Sequence, residues 1–201
     1  MHGEEVLAST TSPTANENCH LLELPPELRN NIYRLVLHQQ ARIPITGHGY
    51  DRPTILITCR QIRKEALKIF YYENQFRASV ANYNSDLVHK WTQHLQKMKM
   101  RPSLALPYLG FGHRSTSPPW PNLLRWLRRK YDDWDIVSPR RPLSRKRLGK
   151  TAVEVEQLIV GGMFAIVKAL TDEEWDVVEE LLMHQRVVLE RMDGRWAKDG
   201  A

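Results

Sequence analysis

The chain has 201 residues, 29 Lys and Arg against 23 Asp and Glu for a net charge of +6, and 42% hydrophobic residues. That size and apolar content allow one globular core without metal or disulfide support, and they exclude pervasive disorder. Cys19 and Cys59 are widely separated, which argues against a disulfide framework or a zinc cluster and points to a reducing compartment, cytoplasmic or nuclear. No stretch approaches the roughly 18 apolar residues of a membrane span, so no membrane partner is expected. Residues 1–20 hold three acids and no Lys or Arg, and read as a disordered tail rather than a secretory or transit signal.

In chain order, LPPELRNNIYRLVLHQQ places Leu28, Ile32, Leu35 and Val36 at the spacing of one buried helical face. Pro25 and Pro26 preset its first turn, and Glu27 sits where the helix dipole favours an acid. Residues 42–58 carry β-branched residues, two glycines and two prolines, which predicts a short hairpin or irregular excursion with strands near 43–46 and 54–57. In TCRQIRKEALKIFYYENQF, Thr58 and Gln61 have capping-box spacing; Cys59, Ile62, Ala66, Ile69 and Phe70 form the buried face, with Arg60, Arg63, Lys64 and Lys68 opposite it as a solvated face.

An extended piece near 75–81 leads into a helix over 85–99 with Leu87, Val88, Trp91, Leu95 and Met98 on one side. The Pro, Gly and Ser content of 101–122 predicts a long connection. Asn122 is placed to cap the next helix, whose core candidates are Leu123, Leu124, Trp126, Leu127 and Tyr131. Thr151 with Glu154 and Thr171 with Glu174 have capping-box spacing before two further helices, 152–169 and 172–192. The Gly161–Gly162 pair in the first marks a close crossing or a break. In the second, Trp175, Val178, Leu182, Gln185, Val188 and Met192 follow the helical pitch. The fold class is therefore mainly α with a small β component.

Charge is concentrated. Residues 125–150 hold ten basic and three acidic residues, so their net +7 exceeds that of the whole chain. SPRRPLSRKRLGK, with Arg140, Arg141, Arg145, Lys146 and Arg147, reads as an exposed basic loop over 139–150. Together with Trp126, Tyr131 and Trp134 it makes nucleic acid a possible but less favoured partner, and Arg-Lys-Arg resembles a nuclear-import signal. Phosphate-binding loops, dinucleotide fingerprints, nucleophile elbows and His-Glu-x-x-His are all missing, so neither an enzyme nor a cofactor is expected.

Binding remains. Residues 22–38, LELPPELRNNIYRLVLH, followed by ILITCRQIRKEALKIFYYENQF at 55–76, resemble the F-box-like proteins common in fungi, with their Leu-Pro-Pro-Glu opening, Thr-Cys-Arg-Gln-Ile and Tyr-x-Glu-Asn-x-Phe ending. The resemblance implies an F-box-like region over 21–77 packed with a helical region over 78–192, and a C-terminal tail over 193–201. It implies docking on the adaptor subunit of a cullin-RING ubiquitin ligase through Leu24, Pro25, Glu27, Leu28, Ile32, Leu35, Leu56, Cys59 and Ile62. An unknown protein substrate would then be recruited by the rest of the chain. Two departures stand out: residues 39–54 lengthen the connection between the helices, and Ile62 occupies a position that is often tryptophan. The residue types of this set suit a buried core and a docking face alike.

Overall fold

The computed structural model describes residues 20–105, 107–112, 119–133, 136–139 and 151–199. Its helices are α1 (His20–Glu23), α2 (Pro26–Leu37), α3 (Arg60–Glu73), α4 (Asp86–Lys97), α5 (Pro119–Asp132), α6 (Ala152–Ala169) and α7 (Trp175–Met192). Three strands, β1 (Ile43–Ile45), β2 (Phe76–Ala81) and β3 (Tyr108–Gly112), form one parallel sheet in the order β1-β2-β3. The mainly α fold with a small β component stands as expected.

The strand expected near 43–46 is β1, but it pairs in a parallel sheet rather than in a local hairpin. Ile43 is in register with Phe76, and Arg77 with Tyr108, so β1 finds its partner across α3 rather than locally. The turn chemistry of the glycines is spent on a tight Thr46–Gly49 bridge in which Gly49 adopts φ +109. Residues Thr54–Ile57 form a 3-10 turn, not a strand. The stretch 101–122, expected as a long connection, likewise contains a 3-10 turn at Pro102–Leu104 and β3.

Phe76, Ala78 and Val80 point from β2 into the core, and their neighbours Arg77, Ser79 and Ala81 face water. Phe70 of α3 and Trp91 of α4 meet Phe76 at ring-centroid distances of 5.6 and 4.7 Å, so both crossover helices cover the same side of the sheet. The other side is partly shielded by cations: Arg42 stacks over the Tyr108 ring at 4.2 Å, and the Arg77 side chain lies over Gly110.

Beyond the sheet, α5, α6 and α7 pack together, with Trp126 against Phe164 at 5.4 Å. Tyr83 ties them to the sheet layer. It is a buried residue at φ +60, a conformation that bulky side chains rarely adopt, and its hydroxyl donates to Glu156 at 2.7 Å. The stretch 193–199, expected as part of a tail, holds the 3-10 turn Gly194–Ala197, and Trp196 is buried against Tyr83. Arg186 clamps it by donating to the Trp196 and Ala197 carbonyls and pairing with Asp199.

Several local expectations change. Only Thr151 with Glu154 forms a capping box. The Thr58 hydroxyl donates to the Ile55 carbonyl, leaving Cys59 as the N-cap of α3, with its Sγ accepting from the Ile62 amide. The N-cap of α7 is Glu174, without a side-chain cap. Asn122 lies inside α5, which starts at Pro119, and its amide donates to the Asn82 carbonyl. Helix α6 runs unbroken through Gly161 and Gly162. On α7, Val178, Leu182, Arg186 and Leu189 are buried, whereas Val188 and Met192 are exposed. The expected faces of α3, α4 and α5 are in place, and Arg60, Arg63, Lys64 and Lys68 are exposed.

Candidate docking surface

The orientation of α2 reverses the expectation. Its buried residues are Arg29, Tyr33 and Leu37, whereas Leu28, Leu35 and Val36 are 50%, 85% and 57% exposed and Ile32 is half-buried. An arginine is turned in and two leucines are turned out.

A polar lock explains this. The Arg29 guanidinium grips Glu65 of α3 with two parallel hydrogen bonds, Nε to Oε2 at 2.9 Å and Nη2 to Oε1 at 2.7 Å. Its Nη1 donates to the Leu24 and Leu22 carbonyls at 2.5 and 3.3 Å, so one side chain ties the entry segment, α2 and α3 together. Tyr33 Oη donates to Glu65 Oε2 at 2.9 Å, and Gln61 Nε2 donates to Oε1 at 3.1 Å. A planar fork against a carboxylate fixes direction as well as distance. These hydrogen bonds, Arg29 foremost, hold the Glu65 carboxyl at about 2 against the opposing effect of burial. Burial, reinforced by the bond to Glu65, pushes the Tyr33 phenol up to about 12. Arg29 is raised by its hydrogen bond to Glu65.

A second anchor fixes the far end. Asn74, buried just after α3, donates to the Leu37 and Phe70 carbonyls and accepts from the Gln39 amide. It closes the last turns of both helices at once, satisfying carbonyls that a helix leaves open. Arg34 pairs with Glu73 at 3.0 Å on the rim, beside a shallow groove lined by Asn31, Arg34, Leu35, His38 and Glu73.

The residues expected to dock therefore divide. Pro25, Glu27, Leu28 and Leu35 are exposed on or beside the outward face, with Ile32 and Leu24 half-buried at its base. Leu56 and Ile62 are buried in the core, and Cys59 is half-buried as the cap of α3; these three support the helix pair from beneath. Val36 extends the outward face and was absent from the expected set. So were the positioning residues Arg29, Tyr33, Glu65 and Asn74, although all four lie inside the quoted stretches. Arg29 and Tyr33 stand four apart, which was the available signal.

Arg140, Arg141, Arg145, Lys146 and Arg147, and Trp134, lie outside the described residues. Of the aromatics beside them, Trp126 is buried with its indole N–H on the Val137 carbonyl, and Tyr131 donates to the Glu173 carbonyl. Both are occupied within the fold, which disfavours them as base-stacking platforms. Among the described residues no group of three or more His, Cys, Asp or Glu is placed to hold a metal, and no helix is long and apolar enough to cross a membrane.

A second concavity lies beside β3. It encloses about 580 Å³, within the size range of ligand pockets, and its walls include Tyr83, Tyr108, Phe111, Lys130, Gln157 and Val160. No protein-family model, no curated protein and no solved structure matches the chain.

Proposed function

We propose that this chain is a protein-protein interaction module that docks through the outward face of α2, as an F-box-like substrate-recruitment subunit of a cullin-RING ubiquitin ligase. The observation that carries the reading is the inversion of α2: Arg29 is buried and held bidentate by Glu65, while Leu28, Leu35 and Val36 stand in water. A polar side chain locked inside and an apolar row outside is costly for a free surface, and a partner that covers the row recovers that cost.

In this reading Leu28, Ile32, Leu35 and Val36 contact the adaptor, and Leu24, Pro25 and Glu27 border the contact. Leu56, Cys59 and Ile62 keep α3 in place beneath them. The recruited protein is held by residues 78–192, where the concavity beside β3 offers mixed aromatic and polar walls. The test is co-purification with the adaptor, followed by direct titration of wild type and of a Leu28→Ser, Leu35→Ser double variant. Binding by wild type that the double variant loses supports the reading; a wild-type chain that does not bind rejects it.

A further inference from the structure

Helix α7 carries a separate unpartnered apolar face. Of its six exposed apolar residues, Met183 and Val187 lie outside the row, and Val177, Leu181, Val188 and Met192, 38–46% exposed, form it. At 100° per residue they fall within an arc of about 60°. Their successive spacings of four, seven and four residues read the same in both directions, with the midpoint between His184 and Gln185. A stripe with that symmetry superimposes on itself when the helix is turned end for end, which is what an isologous pair of antiparallel helices requires.

The charges obey the same symmetry. Glu180 and Arg191 lie on one flank of the stripe, one on each side of its midpoint, and both are exposed. Neither side chain has an ion partner among the described residues. When two copies of α7 pair antiparallel, Glu180 of each falls opposite Arg191 of the other to within about 3 Å along the axis, a mismatch that long side chains span. The contact occurs twice by symmetry, so the helix is complementary to itself in charge as well as in the spacing of its apolar row.

We propose that α7 is a self-association surface that takes a second copy of this chain, paired antiparallel about a two-fold axis beside His184 and Gln185. A row about 22 Å long and one helix diameter, about 10 Å, wide covers on the order of 220 Å², short of the roughly 800 Å² per partner of a stable interface, so the dimer is weak and reversible. The proposal does not depend on the α2 face, which belongs to a different element.

The experiment is sedimentation equilibrium on the full chain from about 5 to about 500 µM in low salt, with far-UV circular dichroism to confirm that each surface variant keeps its helices. Wild type is expected to dimerise, and Leu181→Asp to remain monomeric. Glu180→Arg and Arg191→Glu, each alone, place like charges at both contacts and weaken the dimer about fivefold or more. An equimolar mixture of those two variants restores wild-type strength, because every contact in the heterodimer again joins opposite charges. The proposal is overturned by a wild-type chain that is monomeric at the highest concentration, or by a mixture no tighter than either variant alone. It is equally overturned by a dimer that survives Leu181→Asp but is lost with Leu28→Ser and Leu35→Ser.

Discussion

Leu35 and Tyr33 lie two residues apart on α2, and the structure assigns them opposite energetic roles. Leu35 keeps 85% of its surface in water, so folding draws only about 0.3 kcal/mol of the roughly 2 kcal/mol that a fully buried leucine contributes. Replacing it by serine adds about 0.3 kcal/mol of lost helix propensity, so Leu35→Ser costs well under about 1 kcal/mol. Tyr33 is fully buried and donates to Glu65. Tyr33→Ala opens a cavity of aromatic size and removes that hydrogen bond, which costs about 3–5 kcal/mol. A reading of α2 from apolar periodicity alone predicts the reverse order. Urea unfolding followed by circular dichroism measures both variants against wild type on one scale. A Leu35→Ser loss of about 3 kcal/mol, or a Tyr33→Ala loss below about 1 kcal/mol, refutes the assigned orientation of α2.

Glu65 makes stability depend on acid: its folded value of about 2 lies below the ordinary 4.5, so the unfolded chain takes up the proton first. The contribution is complete above about 4.5 and is lost as pH falls towards about 2, so the gap between wild type and Glu65→Gln in urea midpoint narrows across that window; a gap independent of pH contradicts the lock. Gly162, inside α6, has open space where a Cβ would go. Gly162→Ala therefore raises stability by about 0.5–1 kcal/mol in the same unfolding assay, and a loss of stability refutes an unobstructed, regular helix at that point.

What was legible in the sequence was local. The face of α3 from Ile62 to Phe70 follows its own 3.6-residue period, and Thr151 caps α6 with a glutamate three residues on. What was not legible depended on partners far along the chain. Strand β3 is Tyr-Leu-Gly-Phe-Gly, with no β-branched residue and two glycines, and only its pairing with β2 makes it a strand. The inward side of α2 is set by Arg29 meeting Glu65, a contact between residues 36 apart, whereas periodicity could only rank its two apolar sides. The Leu28 row is the more apolar in sequence, so it read as core. Thr58 had the right spacing for a capping box, but the preceding 3-10 turn claimed its hydroxyl.

For the proposed site, the quoted motifs span the two helices that Arg29 and Glu65 lock together, without separating support from surface. Arg29, Tyr33 and Asn74 of those motifs position α2 and α3, and Leu28 and Leu35 face outward. Leu56 and Ile62, counted with them, are core.

Isothermal titration of the purified ligase adaptor into the full chain tests the central claim most directly. If the adaptor covers Leu28 and Leu35, their exposed fractions of 50% and 85% amount to roughly 2.7 kcal/mol of burial between them, so the Leu28→Ser, Leu35→Ser variant binds about 100-fold more weakly while remaining folded. Wild-type binding of the adaptor with that loss is the predicted result; no binding by wild type, or equal binding by the double variant, contradicts the account.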